Sequence, residues 1–298
     1  MDNQLASANA IFEQLKSEFN NIKPESRLQH LRQRLSAIKD DSERSLVEGM
    51  FLFLQQTGLL NNDIKPVLVA MIHGIRTRGE WHDNLKNLIE SKSDAVVKPI
   101  SFGFFDAISF WLPLITIFRH LKVKHVTKQM RLLRRDFPNH QIVIVAHSFG
   151  TFLTANFMKK NTDYDIDRLL LCGSIVSENF DWDSLPNFPR NGRVMNDIGN
   201  GDIWPILAKT STFGYGASGS YGFNTHTIEN RYHDYGHSGF FCESTFNDYW
   251  LPFILEGRIV SSPATLDRKP KNYIFSLLTL FQGVGLIILL AISLFIIL

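Results

Sequence analysis

The chain has 298 residues, of which 44% are hydrophobic and 20% charged, with a formal net charge of +2. This composition excludes a disordered chain, and the charge offers no basic or acidic excess that would select nucleic acid or an acidic partner. Two cysteines, Cys172 and Cys242, exclude a disulfide framework, and the opening MDNQLASANAIFEQLKSEF lacks the apolar core of a secretory signal.

Residues 1–60 read as helices. Ile11, Phe12, Leu15 and Phe19 form one stripe at helical spacing, Leu28, Leu31 and Leu35 a second, and Leu46, Met50, Phe51 and Leu54 a third. They carry no chemistry. A packed helical layer is expected, or a surface through which copies of the chain associate. From 61 to 258 apolar runs alternate with helical patterns, which predicts an α/β domain with a mostly parallel sheet and helices on both faces. Expected strands are Val67–Ile72, Ala95–Phe104, Gln141–Val145, Arg168–Cys172 and Arg193–Asn196. Helices are expected near Trp81–Glu90, Val123–Arg135, Phe149–Lys159 and Thr245–Glu256. The glycine- and serine-rich stretch Thr210–Asn224 reads as a mobile loop.

Two of these strands end on informative residues. The run Gln141–Val145 passes through Ala146 and His147 to Ser148, and a helical pattern begins at once. So tight a reversal strains the serine backbone and lifts its hydroxyl above the sheet edge. Small residues at Ala146 and Gly150 let strand and helix approach. Farther upstream, PVLVAMIHG ends a strand on His73 and Gly74, where glycine allows the backbone to turn.

On these two segments the chain resembles the α/β-hydrolase superfamily of serine esterases and lipases. The resemblance covers about residues 65–257. It implies that Ser148 is the nucleophile and that the amides of Ile75 and Phe149 form an oxyanion hole, supported by His73, Gly74 and Gly150. It also implies the chain order serine, acid, histidine. Asp202, in a glycine-bearing loop past an expected strand end, is the favoured acid, with Asp197 as rival and Asp181 or Asp183 behind them. His237, between Gly236 and Ser238, is the favoured base, with His233 as alternate. His147 is expected to be structural. A metal reading of His233, Asp234 and His237 is weighed against Gly236, which opposes a helix, and against the lack of H-E-x-x-H. No metal and no cofactor is expected. Alanine at 146 and the lack of strands before Pro66 depart from the family pattern.

Residues 107–118 are apolar with Pro113 inside, too short to span a bilayer. Arg119, Lys122, Lys124, Lys128, Arg131, Arg134 and Arg135 follow. Together they predict either a core helix with a solvated basic face or a rim resting on anionic lipid. After a basic linker at 259–272, Tyr273–Leu298 holds no charged side chain. About 26 helical residues reach roughly 39 Å, enough to cross a core of about 30 Å. Arg268, Lys269 and Lys271 precede this stretch. A single-pass C-terminal anchor with the domain facing the cytoplasm is therefore expected. The functional expectation is a membrane-anchored serine hydrolase acting on an ester, including lipid or acyl esters. Thioesterase and peptidase activities use the same residues. The alternative is a catalytically silent scaffold or sensor of the same fold.

Overall fold

The computed structural model describes residues 2–19, 22, 24–56, 65–74, 80–100, 115–189, 193–211, 213–261 and 283. The chain divides into two compact units, Met1–Pro66 and Val67–Leu298.

The first unit holds α1 (Asp2–Phe19), α2 (Pro24–Ser36) and α3 (Asp41–Gln56). Ala8, Phe12, Leu15, Val47 and Phe51 make its core, and the rings of Phe12 and Phe51 meet edge to face at 5.0 Å. Leu46, expected in the third stripe, is exposed. The buried arc of α3 runs through Val47, Met50 and Phe51 instead, one residue around the helix. Asp40 caps α3 by accepting from the amides of Ser42 and Glu43, each at 2.9 Å. Such a cap contributes about 0.5–2 kcal/mol.

The second unit is built on a six-stranded parallel sheet in the order β2-β1-β3-β4-β5-β6. The strands are β1 (Val67–Ile72), β2 (Val96–Ile100), β3 (Gln141–His147), β4 (Arg168–Cys172), β5 (Val194–Gly199) and β6 (Glu229–His233). Between them run α4 (Glu80–Lys92), α5 (Ile115–Asp136), α6 (Phe149–Lys160), α7 (Trp204–Ser211) and the single turn α8 (Ser218–Tyr221). After β6 comes α9, a turn at Glu243–Thr245 that continues as π-helical turns to Glu256. This is an α/β fold.

Alternation along the strands explains its two cores. Leu68, Ala70, Ile72, Ile142, Ile144, Ala146, Leu169 and Leu171 face α5 and α6 residues such as Val126, Leu153 and Phe157. Val69, Met71, Val143, Val145, Leu170 and Cys172 face Trp81, Leu85, Trp250 and Phe253. Both faces are buried, so the strands read as continuous apolar runs.

Several expectations need correction. The strand expected at Arg193–Asn196 extends to Gly199, which places Asp197 inside β5. Residues Glu229–His233, absent from the expected strands, form β6. Thr210–Asn224 is no open loop. It contains the end of α7 and all of α8, with Tyr215, Ala217, Ser218 and Ser220 buried. Its amides bond to the loop after β4, as in Gly216 N–H to Ile175 O at 2.8 Å.

The basic face expected after residue 118 is only partly solvated. Arg119 is buried over the ring of Tyr215 and donates to the carbonyl of Phe213 at 2.8 Å. Arg134 donates to the carbonyls of His140 and Asp165, and Arg131 to Asn161. Residues 107–114, Ile75, most of the 259–272 linker and the expected span lie outside the described residues, apart from Gly283. That glycine has φ 77°, in the left-handed region. Among the described residues no helix is long and apolar enough to cross a membrane.

Candidate active site

Parallel strands end together, and their registers bring five loops to one edge. Ile72 pairs with Ala146, His147 with Cys172, and Gly199 with His233. His73–Gly74, Ser148, Gly173, Asn200–Asp202 and Asp234–His237 therefore all leave the carboxyl end of the sheet, where open α/β folds carry their sites.

Ser148 has φ 53° and ψ −122°, and is the one non-glycine residue with positive φ among those described. A backbone held there costs about 1–3 kcal/mol. The surroundings impose it. Ser148 N–H donates to Cys172 O at 3.1 Å, while the Thr151 hydroxyl donates back to Ser148 O at 2.6 Å. Directly after it, α6 crosses β1 so closely that a Cβ on Gly150 would lie 2.1 Å from Ile72 O. Gly74 packs over the serine itself, since a Cβ there would meet Ser148 Cβ at 2.7 Å.

Ser148, His237 and Asp202 form one hydrogen-bonded row. His237 Nε2 lies 3.0 Å from Ser148 Oγ, and His237 Nδ1 lies 2.8 Å from Asp202 Oδ2. A carboxylate only accepts, so Nδ1 carries the proton and Nε2 is left to accept from the serine hydroxyl. Asp202 is buried, and its Oδ1 accepts from the Trp204 amide at 3.0 Å. Its loop is pinned to the next strand by Asn200 N–H to His233 O and Gly201 N–H to Tyr235 O, at 2.9 and 3.0 Å.

Two further residues hold the row, and neither lies in a local sequence pattern. Gly173, at φ 53°, lies where a Cβ would stand 3.1 Å from the His237 ring and 3.3 Å from Asp202 Oδ2. Ser220 is fully buried and donates to the carbonyl of Asp202 at 2.6 Å. Ser220→Ala removes a bond that contributes about 0.5–1.5 kcal/mol, so the unfolding free energy should fall by about that amount, which chemical denaturation checks.

The rival residues occupy a separate cluster. Asp197 accepts from Arg231 Nε and Nη2 at 2.6 and 2.8 Å, from His233 Nε2 at 3.0 Å and from Trp250 Nε1 at 2.7 Å. Burial alone would raise the Asp197 pKa. The Arg231 charge and the hydrogen bonds overcome it and hold the carboxyl well below the usual range. Asp181 and Asp183 lie on exposed turns, where they accept from Ser184 and Thr225. Among the described residues no group of three or more His, Cys, Asp or Glu is gathered as a metal site.

Other imidazoles crowd the site. His147 is buried 4.6 Å from the His237 ring, and its Nε2 donates to the His237 carbonyl at 3.0 Å. Its Nδ1 is buried without a hydrogen-bond partner, as expected of a neutral ring. Burial first, and then the His237 charge, lowers its pKa well below 6.5. Burial and then His73 push His82 down to about 3, and burial lowers His73.

In the unfolded chain these rings protonate near 6.5. Between that value and about 3, the unfolded state binds more protons at His82, so stability falls as pH drops. Above 6.5 neither state is protonated and nothing is lost. The His82 imidazole costs about 1.4 kcal/mol per pH unit inside this window. Asp197 adds a loss of its own, as pH falls below its ordinary value of 3.8. His82→Phe should therefore flatten the decline of Tm between about pH 6 and 4, which melting curves across that range would show.

No family model and no curated protein matches the chain. Solved structures do resemble it at low identity. A thermostable carboxyl esterase from Bacillus coagulans is 13% identical over 41% of this chain, with a TM-score of 0.29, and the chain spans 40% of that esterase. A Thermus thermophilus protein is 12% identical over 65% of this chain and 91% of its own, with a TM-score of 0.42. An uncharacterized Bacillus cereus protein is 11% identical over 84% of this chain and 85% of its own, with a TM-score of 0.44. Likeness at this level lends the site no residue and no reaction.

Proposed function

We propose that the protein is a serine hydrolase of α/β-hydrolase type that cleaves an ester through an acyl-enzyme. The supporting observation is the row from Ser148 through His237 to Asp202, at 3.0 and 2.8 Å, on a serine held at positive φ. Ser148 Oγ attacks the ester carbonyl while His237 Nε2 takes the hydroxyl proton. Asp202 fixes the ring tautomer and stabilises the imidazolium. His237 then passes the proton to the departing alcohol, and water repeats the sequence to release the acid.

The Phe149 amide begins α6 beside the nucleophile, which suits one donor of an oxyanion hole. Ile75 is proposed for the second on sequence alone. Neutral His147, His73 and His82 suit the same scheme, because a second cation beside His237 would oppose imidazolium formation.

The uncharged stretch Tyr273–Leu298, with Arg268, Lys269 and Lys271 before it, supports a further proposal that the protein is held at a membrane and meets lipid or acyl esters there. Extraction with alkaline carbonate tests this. Release of the full chain into the soluble fraction would remove it. A fluorophosphonate probe tests the hydrolase reading: labelling is expected in the wild type and absent in Ser148→Ala. A folded wild-type protein that takes no label would support the silent-scaffold alternative.

A further inference from the structure

The row is closed at its acid and open at its base. Asp202 is fully enclosed, whereas His237 keeps 19% of its side chain exposed. Beside the His237 ring stands that of Trp204, with centroids 6.2 Å apart and planes tilted by 43°. Trp204 is 56% exposed and Ile203 before it 37%, although tryptophan is highly buried on average.

The indole is held at this place by the acid. The Trp204 amide, the first of α7, donates to Asp202 Oδ1 at 3.0 Å. His237 Nδ1 lies 2.8 Å from Oδ2 of the same carboxylate. One buried group thus positions both the base and the backbone that carries the indole.

Which part of an ester meets Trp204 follows from the path of the proton. The acyl carbon bonds to Ser148 Oγ, while the proton on His237 Nε2 goes to the departing alkoxy oxygen. That oxygen must come within about 2.6–3.2 Å of Nε2, so the carbons it carries lie beside the imidazole. An indole face gains by covering apolar surface and by stacking with another ring, and a one- or two-carbon alcohol is too short to cover it. We propose that Trp204 is a specificity-determining residue whose face receives the alcohol part of the ester, a bulky apolar group. This rests on the serine-hydrolase reading.

The test keeps the acyl part constant and varies the alcohol, on the full chain at one detergent concentration. Benzyl and ethyl alcohol are similarly poor acids, so kcat/KM for benzyl acetate over ethyl acetate reads contacts rather than leaving-group chemistry. The wild type should favour the benzyl ester at least tenfold. Trp204→Ala, with a melting temperature near the wild type, should lower that ratio about tenfold, and Trp204→Phe should keep most of it. A purely structural loss slows both esters alike, so an unmoved ratio in folded, active Trp204→Ala overturns the proposal. Ethyl hexanoate over ethyl acetate is the companion ratio, which Trp204→Ala should leave unchanged. A fall there as large as in the benzyl ratio puts the ring on the acyl side and overturns the proposal. A loss confined to vesicle-borne esters assigns the indole to the bilayer, with the same consequence. A wild type that takes the serine label but shows no preference for the benzyl ester removes the alcohol site and leaves the hydrolase. A folded wild type that takes no label and cleaves none of these esters removes the hydrolase, and the alcohol site with it.

Discussion

Replacing Ser148 or His237 with alanine should lower kcat by roughly 10⁶-fold on an accepted ester, and Asp202→Asn by roughly 10⁴-fold, because residues acting as one unit fail together. The double variant Ser148→Ala/His237→Ala should be no worse than either single one. That non-additivity separates a coupled row from two independent contributions. The physical basis is the tautomer. With Asp202 accepting at Nδ1, the ring offers a bare Nε2 to Ser148 at 3.0 Å. An asparagine amide can turn its N–H₂ toward Nδ1, which moves the proton to Nε2 and removes the acceptor the serine needs. The variants Asp197→Asn and His233→Gln probe the other cluster. They should reduce stability by several kcal/mol, as breaking a buried pair does, while folded material keeps the serine label. Active-site titration of purified, folded variants distinguishes the outcomes. If Asp197→Asn loses the label and Asp202→Asn keeps it, the assignment of the acid is wrong.

Gly150→Ala should be the most damaging single methyl in the domain. The added carbon would sit 2.1 Å from Ile72 O and 2.8 Å from His73 O, and both are backbone atoms of β1 and its exit. No side-chain rotation relieves that. Either α6 lifts from the sheet or β1 is pushed aside, at an expected loss above about 4 kcal/mol, beyond the common range for point changes. Gly49→Ala is the matching control. Nothing lies within 4 Å of its added carbon, and it sits inside α3, so the change should stabilise by about 0.5–1 kcal/mol. Chemical denaturation of both variants checks the pair. A Gly150→Ala protein with the wild-type midpoint would show that helix and strand are not in the contact described.

How much of this was legible beforehand follows from which residues bury what. β1, β3 and β4 lie under helices on both faces, so they show as unbroken apolar runs, and the reversal at Ser148 stands out between Val145 and the helix beyond. β6 did not show because its sequence is Glu-Asn-Arg-Tyr-His. The buried members are Arg231 and His233, which are polar and tolerated only because Asp197 faces them across the strand pair. Without that partner in view, neither side chain looks like a core residue. For the same reason Asp197 resembled a candidate acid, although its charge belongs to Arg231.

Asp202, His237 and Ser148 could be nominated from loop position and chain order, and the structure places them in hydrogen-bonding contact. What holds them could not be read in advance. Gly173 and Ser220 matter through contacts with residues 29 or more and 18 positions away, and neither lies in a local pattern. Thr210–Asn224 misled for a related reason. Glycine and serine there permit close backbone approach, as at Gly216 and Gly219, where an added Cβ would come within 2.2 Å of the loop after β4.

The all-parallel sheet has a consequence for how the chain is made. Each pairing joins strands separated by a crossover, so none can zip up as a hairpin does, and formation is expected to be slow. On a ribosome, β1 and β2 emerge well before β3, the neighbour that covers the other edge of β1. Until then β1 is an apolar ribbon with unmet amides, open to association with other nascent chains. Yield during synthesis should therefore depend more on how fast β3 follows than on the stability of the finished protein.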